Sequence, residues 1–334
     1  MPRGSRIDAP GALHHIMIRG IERRRIFRDD GDRGDFVERL EAAAKDGGMA
    51  CYAWALLPNH VHLLVRSGRI PLSLAMRRVL TGYAVRFNLR HRRQGHLFQN
   101  RYRSVLCQEE PYLLELVRYI HLNPLRARIV RSLEELDGYP WTGHSAIMGE
   151  VAREWQDVDT VLGRFGEVHG VARERYREFV CGGMGEGERD ELEGGGLVRS
   201  AGGWEVVRAA RRAGGHMVGD ERILGESEFV EGVLREAEEG LARRTRHQRE
   251  GHDLRTAAKR AGEAMGVSAK EIMAPGKARR RAEARSVACY WATRELGMST
   301  AEVGRAWGLS QSAVSKAARR GEAIVRERQL TFDF

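Results

Sequence analysis

Cysteine is scarce in this 334-residue chain, and the four present (Cys51, Cys107, Cys181 and Cys289) lie far apart with no C-x-x-C pair. That excludes a disulfide framework and a cysteine-built zinc knuckle, and it suits a reducing cytoplasm, the location expected here. No run of 18 apolar residues occurs, and the N-terminus lacks the apolar core of a signal peptide, so no membrane span or membrane partner is expected. Negative charge is in deficit: 46 Asp+Glu face 56 Lys+Arg, a net charge of +10 with a pI near 9.8. Lysine adds little to this balance, and arginine dominates. An arginine-rich basic chain points to phosphate-bearing partners, nucleic acid foremost, although a high-GC genome imposes a similar composition. The length allows two or three domains, each with its own core.

The first 150 residues carry the clearest pattern. Strands are expected at 13–19, 49–57, 61–66 and 104–107 from their apolar and β-branched runs. Helices are expected at 32–45, 72–92 and 111–121 from apolar residues recurring at helical spacing. On the second helix Leu74, Val79, Leu80, Ala84 and Phe87 make the expected apolar side. Gly47-Gly48 should end the first helix, and Asn123-Pro124 should end the third or its first segment. The order β-α-β-β-α-β, then a helix, is the ferredoxin-like pattern of an α+β protein. Its antiparallel sheet should have one helix-covered face and one free face.

Within that pattern lies Pro58-Asn59-His60-Val61-His62-Leu63-Leu64-Val65. Alternation along a strand sends His60 and His62 to one face, where two imidazoles make half of a divalent-metal site. Two polar residues on an open sheet face give the same pattern. His14 and His15 are adjacent, so at most one of them can join a site on the sheet. Tyr119 and Asn123, four apart, fall on one side of a helix. The imidazoles and an amide oxygen suit Mg²⁺ or Mn²⁺, with Mn²⁺ the more tolerant of nitrogen. A phenol beside them could attack a phosphodiester. By spacing alone, a half-buried aromatic is the plainer reading of Tyr119, and helix capping is an alternative for Asn123.

Four motifs in order, PNHVHLLV, GHLFQNRYRSVLC, RYIHLNPLRA and YPWTGHSA, resemble the REP-associated tyrosine transposases, members of the HUH single-strand transposases. The resemblance spans about residues 11–148. It implies a ferredoxin-like catalytic domain and divalent-metal-dependent cleavage of single-stranded DNA, or a hairpin with an unpaired flank, through a 5′-phosphotyrosine. By motif, His60 and His62 match the metal ligands, Tyr119 the nucleophile, and Asn123 a third ligand. Arg101 and Arg103 are candidate phosphate or hairpin contacts, with an ordinary solvated strand end as the alternative. The aromatic–basic mix at 98–102 suits stacking on unpaired bases, with a core position open to Phe98.

Beyond 149 a helical and Gly-rich connecting region is expected to 253, with flexible linker at 182–203. Residues 217–230 resemble a segment that follows the catalytic domain in longer members of the same family. From 254 to 328 a basic helical domain is expected. It has an arginine cluster (Lys277, Arg279, Arg280, Arg281 and Arg285), a helix at 286–296, and two helices at 299–307 and 310–324 joined by Gly308-Leu309. The short Gly-containing turn is a helix-turn-helix signature, with Gln311, Ser312 and Ser315 suited to base edges and Lys316, Arg319 and Arg320 to phosphates. Residues 258–324 also resemble the duplex-binding domain of the bacterial replication initiator DnaA, apart from its turn and recognition residues. Duplex DNA is therefore the expected partner of this half, and the protein is expected to be a monomer or homodimer. Two rival readings stand beside a DNA-nicking and rejoining transposase: a non-catalytic sequence-specific DNA-binding regulator, and a nuclease that uses water with Tyr119 structural.

Overall fold

Three strands buried on both faces along most of their length build the centre of the N-terminal sheet: β1 (Leu13–Arg19), β2 (Ala50–Leu57) and β3 (His60–Arg66). In the computed structural model, which describes residues 7, 11–68, 70–186, 192, 220–274 and 278–332, they are joined by β4 (Arg103–Cys107) and β5 (Ile223–Leu224). The order is β2-β3-β1-β4-β5, with the first four antiparallel, which is the ferredoxin-like arrangement. β5 pairs in parallel with β4, so the sheet is mixed. This edge strand comes from the 217–230 segment, whose pairing only folding reveals.

Helices α1 (Asp30–Gly47) and α2 (Leu72–Arg90) cover one face. Ile16, Ile18, Trp54, Leu56, Val61, Leu63 and Val65 pack there against Phe36, Leu40, Met76, Val79 and Phe87. Asp29 caps α1 by accepting from the Asp32 N–H, and left-handed Gly48 closes it. The buried stripe of α2 is Leu72, Ala75, Met76, Val79, Tyr83 and Phe87, rotated from the expected Leu74–Leu80–Ala84 side. Tyr83 tolerates burial because its hydroxyl donates to the Ile26 carbonyl.

The second face is not free, contrary to the sequence expectation. Leu13, Ala53, Ala55, Leu57, Leu64 and Val105 pack under α3 (Glu109–His121), which buries Leu113, Leu116, Val117 and Ile120. The chain continues into α4 (Asn123–Arg126), with Pro124 in its first turn, where no backbone donor is needed. Four further helices extend this cover: α5 (Leu133–Asp137), α6 (Gly143–Met148), α7 (Val158–Leu162) and α8 (His169–Gly182). A hydrogen-bonded chain of buried groups runs through it. Tyr176 Oη lies 2.7 Å from His121 Nδ1 and 2.9 Å from His144 Nδ1, and His144 Nε2 lies 2.8 Å from Asp137. The third helix is thereby anchored by its last residue. An amphipathic helix next to a half-apolar sheet face must bury that face somewhere, and here it buries it over the histidines.

The chain divides into two compact units, Met1–Gly232 and Val233–Phe334. The second is helical: most of α9 (Ser227–Arg249), then α10 (Leu254–Met265), α11 (Ala269–Met273), α12 (Arg279–Arg294), α13 (Thr300–Trp307) and α14 (Gln311–Glu327). Three capping boxes start α10, α11 and α13, at Asp253, Ser268 and Ser299. Trp291, Val287, Ala288, Val303, Val314 and Ala317 form the core. The arginine cluster is the first turns of α12 rather than a lead-in to a helix at 286. Lys277 and most of the 182–203 stretch lie outside the described residues. No helix among the described residues is long and apolar enough to cross a membrane.

Candidate active site

β3 places His60 and His62 on the face under α3, with ring centroids 5.2 Å apart. The register sets Met17 opposite His62 and Arg19 opposite His60, so His15 of β1 shares the same face. α3 brings Tyr119 to this point. Its ring stands edge-on to His62 at 6.0 Å and to His15 at 6.1 Å. The tyrosine is buried, at 6% exposure, and His62 is buried at 3% while His60 is half-buried.

Hydrogen bonds behind the two histidines decide which nitrogens carry protons. Asn59 Nδ2 donates to the Arg23 carbonyl at 3.0 Å, which turns its Oδ1 toward His60 Nδ1 at 2.7 Å. A carboxamide oxygen only accepts, so His60 is protonated on Nδ1 and presents the Nε2 lone pair. His15 Nδ1 donates to the Leu192 carbonyl at 3.1 Å, and His15 Nε2 lies 3.0 Å from His62 Nδ1. Neutral His15 therefore accepts from His62 Nδ1–H, and His62 too presents Nε2 unprotonated. Burial keeps these rings neutral. It pushes His15 and His60 down to about 4, helped by Arg103 and Arg19 respectively, and it holds His62 well below its ordinary value. Two neutral imidazoles with tautomers fixed from behind and Nε2 lone pairs on one face are what a divalent ion needs. His15 and Asn59 were the partners that sequence reasoning did not assign. The adjacency of Asn59 to His60 was visible, whereas the approach of His15 depends on strand pairing.

Asn123 is the first residue of α4 and is 9% exposed. Its side chain caps neither helix and makes no hydrogen bond to either imidazole, and among the described residues its buried Nδ2 has no hydrogen-bond partner. A buried amide N–H left unpaired costs about 1–3 kcal/mol, so this group has room for a hydrogen-bond acceptor such as a phosphate oxygen, while an ion would be held by its Oδ1. Arginines ring the site. Arg126 stacks its guanidinium 5.1 Å from the Tyr119 ring centroid and donates to the Tyr119 carbonyl at 3.0 Å. Its spacing of seven from Tyr119 is two helical turns, the signal that could have found it. Arg19 and Arg103 lie exposed on the same sheet face, and Arg101 is exposed in the loop before β4. Phe98 instead packs on Tyr83, 6.3 Å between centroids, and Tyr102 is buried in the α1–α2 core. Tyr102 is therefore a core residue, and Phe98 is half-buried against the core.

In the C-terminal unit Gln311, Ser312, Lys316 and Arg319 are exposed along one side of α14, with Ser315 half-buried between them. Gln311 Nε2 donates to Thr300 Oγ1 at 3.1 Å, and Ser312 Oγ lies 3.1 Å from Ser310 Oγ. Ser310 caps α14, and left-handed Gly308 makes the turn from α13. Arg279 pairs with Glu283 at 3.0 Å and Arg280 donates to the Met265 carbonyl at 3.2 Å, while Arg281 makes no hydrogen bond or ion pair among the described residues. Arg285 donates to the Ile272 and Ala274 carbonyls, so it ties α12 to the end of α11.

Residues 10–123 match the family model described as "Transposase IS200 like". Among solved structures, one of the REP-associated tyrosine transposase bound to a REP hairpin is similar at 16% identity, covering 47% of this chain and 94% of that one, with a TM-score of 0.38. No curated protein matches the chain.

Proposed function

We propose that this chain, whose residues 10–123 match the IS200-like transposase model, cuts and rejoins single-stranded or hairpin DNA through a covalent bond to Tyr119. The observation that carries the reading is the phenol ring 6.0 Å from His62, which together with His60 presents an available Nε2 lone pair. His60, His62 and Asn123 would hold Mg²⁺ or Mn²⁺. Such an ion, when bound, polarises the scissile phosphodiester.

The chain's own groups supply the rest. Arg19 and Arg103 attract the strand's phosphates to the rim, with Arg101 beside them. Arg126, lying over the Tyr119 ring, places a cation at the site where a phosphate would arrive. The Tyr119 hydroxyl gives up its proton, its oxygen attacks phosphorus, and the P–O3′ bond breaks. The 3′-oxygen takes up a proton to become a free hydroxyl, and the 5′-phosphate remains on the tyrosine. Attack by a 3′-hydroxyl reverses the step, so rejoining needs no nucleotide cofactor. Because Tyr119 is buried, the strand must displace the groups over it, Arg126 among them. The C-terminal unit is proposed to bind duplex DNA, with Gln311, Ser312 and Ser315 toward base edges. Lys316, Arg319 and the arginines at 279–281 are assigned to phosphates.

The test is to incubate 3′-labelled single-stranded DNA with the protein and Mn²⁺ or Mg²⁺, and then separate the products on a denaturing gel. Label migrating with the protein supports the reading. Binding without cleavage supports the regulator instead. A second expectation concerns the group behind the site. Asn59→Ala removes the acceptor that holds His60 Nδ1–H and should weaken Mn²⁺ binding by about 10–100-fold. Titration calorimetry on the DNA-free protein checks it, and unchanged affinity would remove Asn59 from the site.

A further inference from the structure

Among the described residues two groups of histidines and carboxylates converge closely enough to share an ion. At Asp29, Asp32 and His91 the place is already taken by an internal cation. Arg90 lies 2.6 Å from Asp29 and also binds Asp32. The other group, His247, Glu250 and His252, is in the C-terminal unit and is built differently.

The α9 helix ends at Arg249, and Gly251, at φ +71°, turns the chain before Asp253 caps α10. A side chain in that left-handed position would be strained, and the turn folds His252 back onto His247. Their Nδ1 atoms are 3.2 Å apart. Glu250 Oε2 lies 3.8 Å from His247 Nδ1 and 3.5 Å from His252 Nδ1. His247 is fully buried, and Phe332 closes the pair with its ring 4.9 Å from His247 and 5.9 Å from His252. Arg246 approaches the other carboxylate oxygen, Oε1, at 3.8 Å.

The spacing decides between two explanations. A hydrogen bond between the rings accounts for the nitrogen pair alone. The carboxylate oxygen is too far from either nitrogen for a hydrogen bond, yet it stands at nearly equal distance from both. Ligands on a tetrahedral ion at about 2.0–2.1 Å lie roughly 3.3–3.4 Å from one another. The three measured edges, 3.2, 3.5 and 3.8 Å, need a shift of only a few tenths of an ångström to fit. Two imidazoles and one carboxylate favour Zn²⁺ over the oxygen-seeking Mg²⁺ and Ca²⁺ and leave a fourth position for water.

We propose that His247 Nδ1, His252 Nδ1 and Glu250 Oε2 bind one Zn²⁺-class ion that clamps the end of α9 to the start of α10. This site is separate from the histidines of β3. The experiment uses the full chain carrying His60→Asn and His62→Asn, so that the N-terminal pair contributes nothing, with Zn²⁺ or Co²⁺ alone as probe. One equivalent of metal per chain should bind, Co²⁺ should give the intense visible bands of tetrahedral coordination, and Zn²⁺ should raise the thermal midpoint of the C-terminal unit. Adding Glu250→Gln or His252→Asn, both at partly exposed positions, should lower affinity by at least about 10–100-fold, the loss already typical when only a residue behind a ligand is removed. Circular dichroism confirms that the variants remain folded. Absence of stoichiometric binding, or binding that survives both substitutions in folded protein, overturns the proposal.

Discussion

Tyr119→Phe should abolish the covalent protein–DNA adduct and lower strand cleavage by on the order of 10⁴-fold or more, the scale expected when a nucleophile is deleted. The substitution removes one oxygen. The ring that packs edge-on to His62 and His15 and lies under Arg126 is retained, so stability should change by no more than about 1 kcal/mol. Phenylalanine leaves the imidazole tautomers untouched, since neither His60 Nδ1 nor His62 Nδ1 bonds to the tyrosine. Metal affinity should therefore be unchanged, which separates loss of the nucleophile from collapse of the site. A 3′-labelled strand on a denaturing gel reads the adduct, and calorimetry reads the metal. Cleavage that persists in Tyr119→Phe without an adduct would mean that water is the nucleophile and that the tyrosine is structural.

The second large effect is expected far from any chemistry. At Gly321 of α14 an added Cβ would sit 1.9 Å from the Ser286 carbonyl oxygen, 2.4 Å from its carbon and 2.9 Å from Tyr290 Cβ. The first two are backbone atoms of α12, so no side chain can rotate away. Gly321→Val must push α14 off α12, which opens the core around Val287, Trp291, Val314 and Ala317. Overpacking typically costs about 1–3 kcal/mol, and a backbone collision belongs at the top of that range or above it. For a unit of this size about 3 kcal/mol lowers the thermal midpoint by roughly 12–24 °C. Duplex binding should fall with it, while adduct formation by the N-terminal unit persists. A midpoint within a few degrees of wild type would mean that the two helices are not held at this separation.

Much of the catalytic half was readable because its elements are local. Apolar and β-branched runs at 13–19 and around 61–66 give the strands within a residue of their observed ends, and Gly48 stops α1 where a left-handed cap was expected. Same-face placement of His60 and His62 needs only the geometry of one strand. Where the reading failed, a contact distant in sequence outweighed a local preference. Tyr83 entered the core of α2 because the Ile26 carbonyl was there to accept its hydroxyl. Phe98 packs on Tyr83, the core position left open to it. Nothing local to α3 states which surface it will cover, so the covering of the sheet's second face is set by tertiary packing alone.

By itself the sequence determined which residues are chemically able to act: two imidazoles on one strand face, a phenol and an amide one turn apart, and arginines in excess. Folding decided that the phenol lies over the imidazoles, that His15 and Asn59 stand behind them, and that Gly321 lets two helices touch through their backbones. The reason is range. Side-chain direction along a strand or helix follows from dihedral angles a few residues long, whereas a neighbour 47 residues away, as His15 is from His62, is set by strand pairing and by the burial of whole faces.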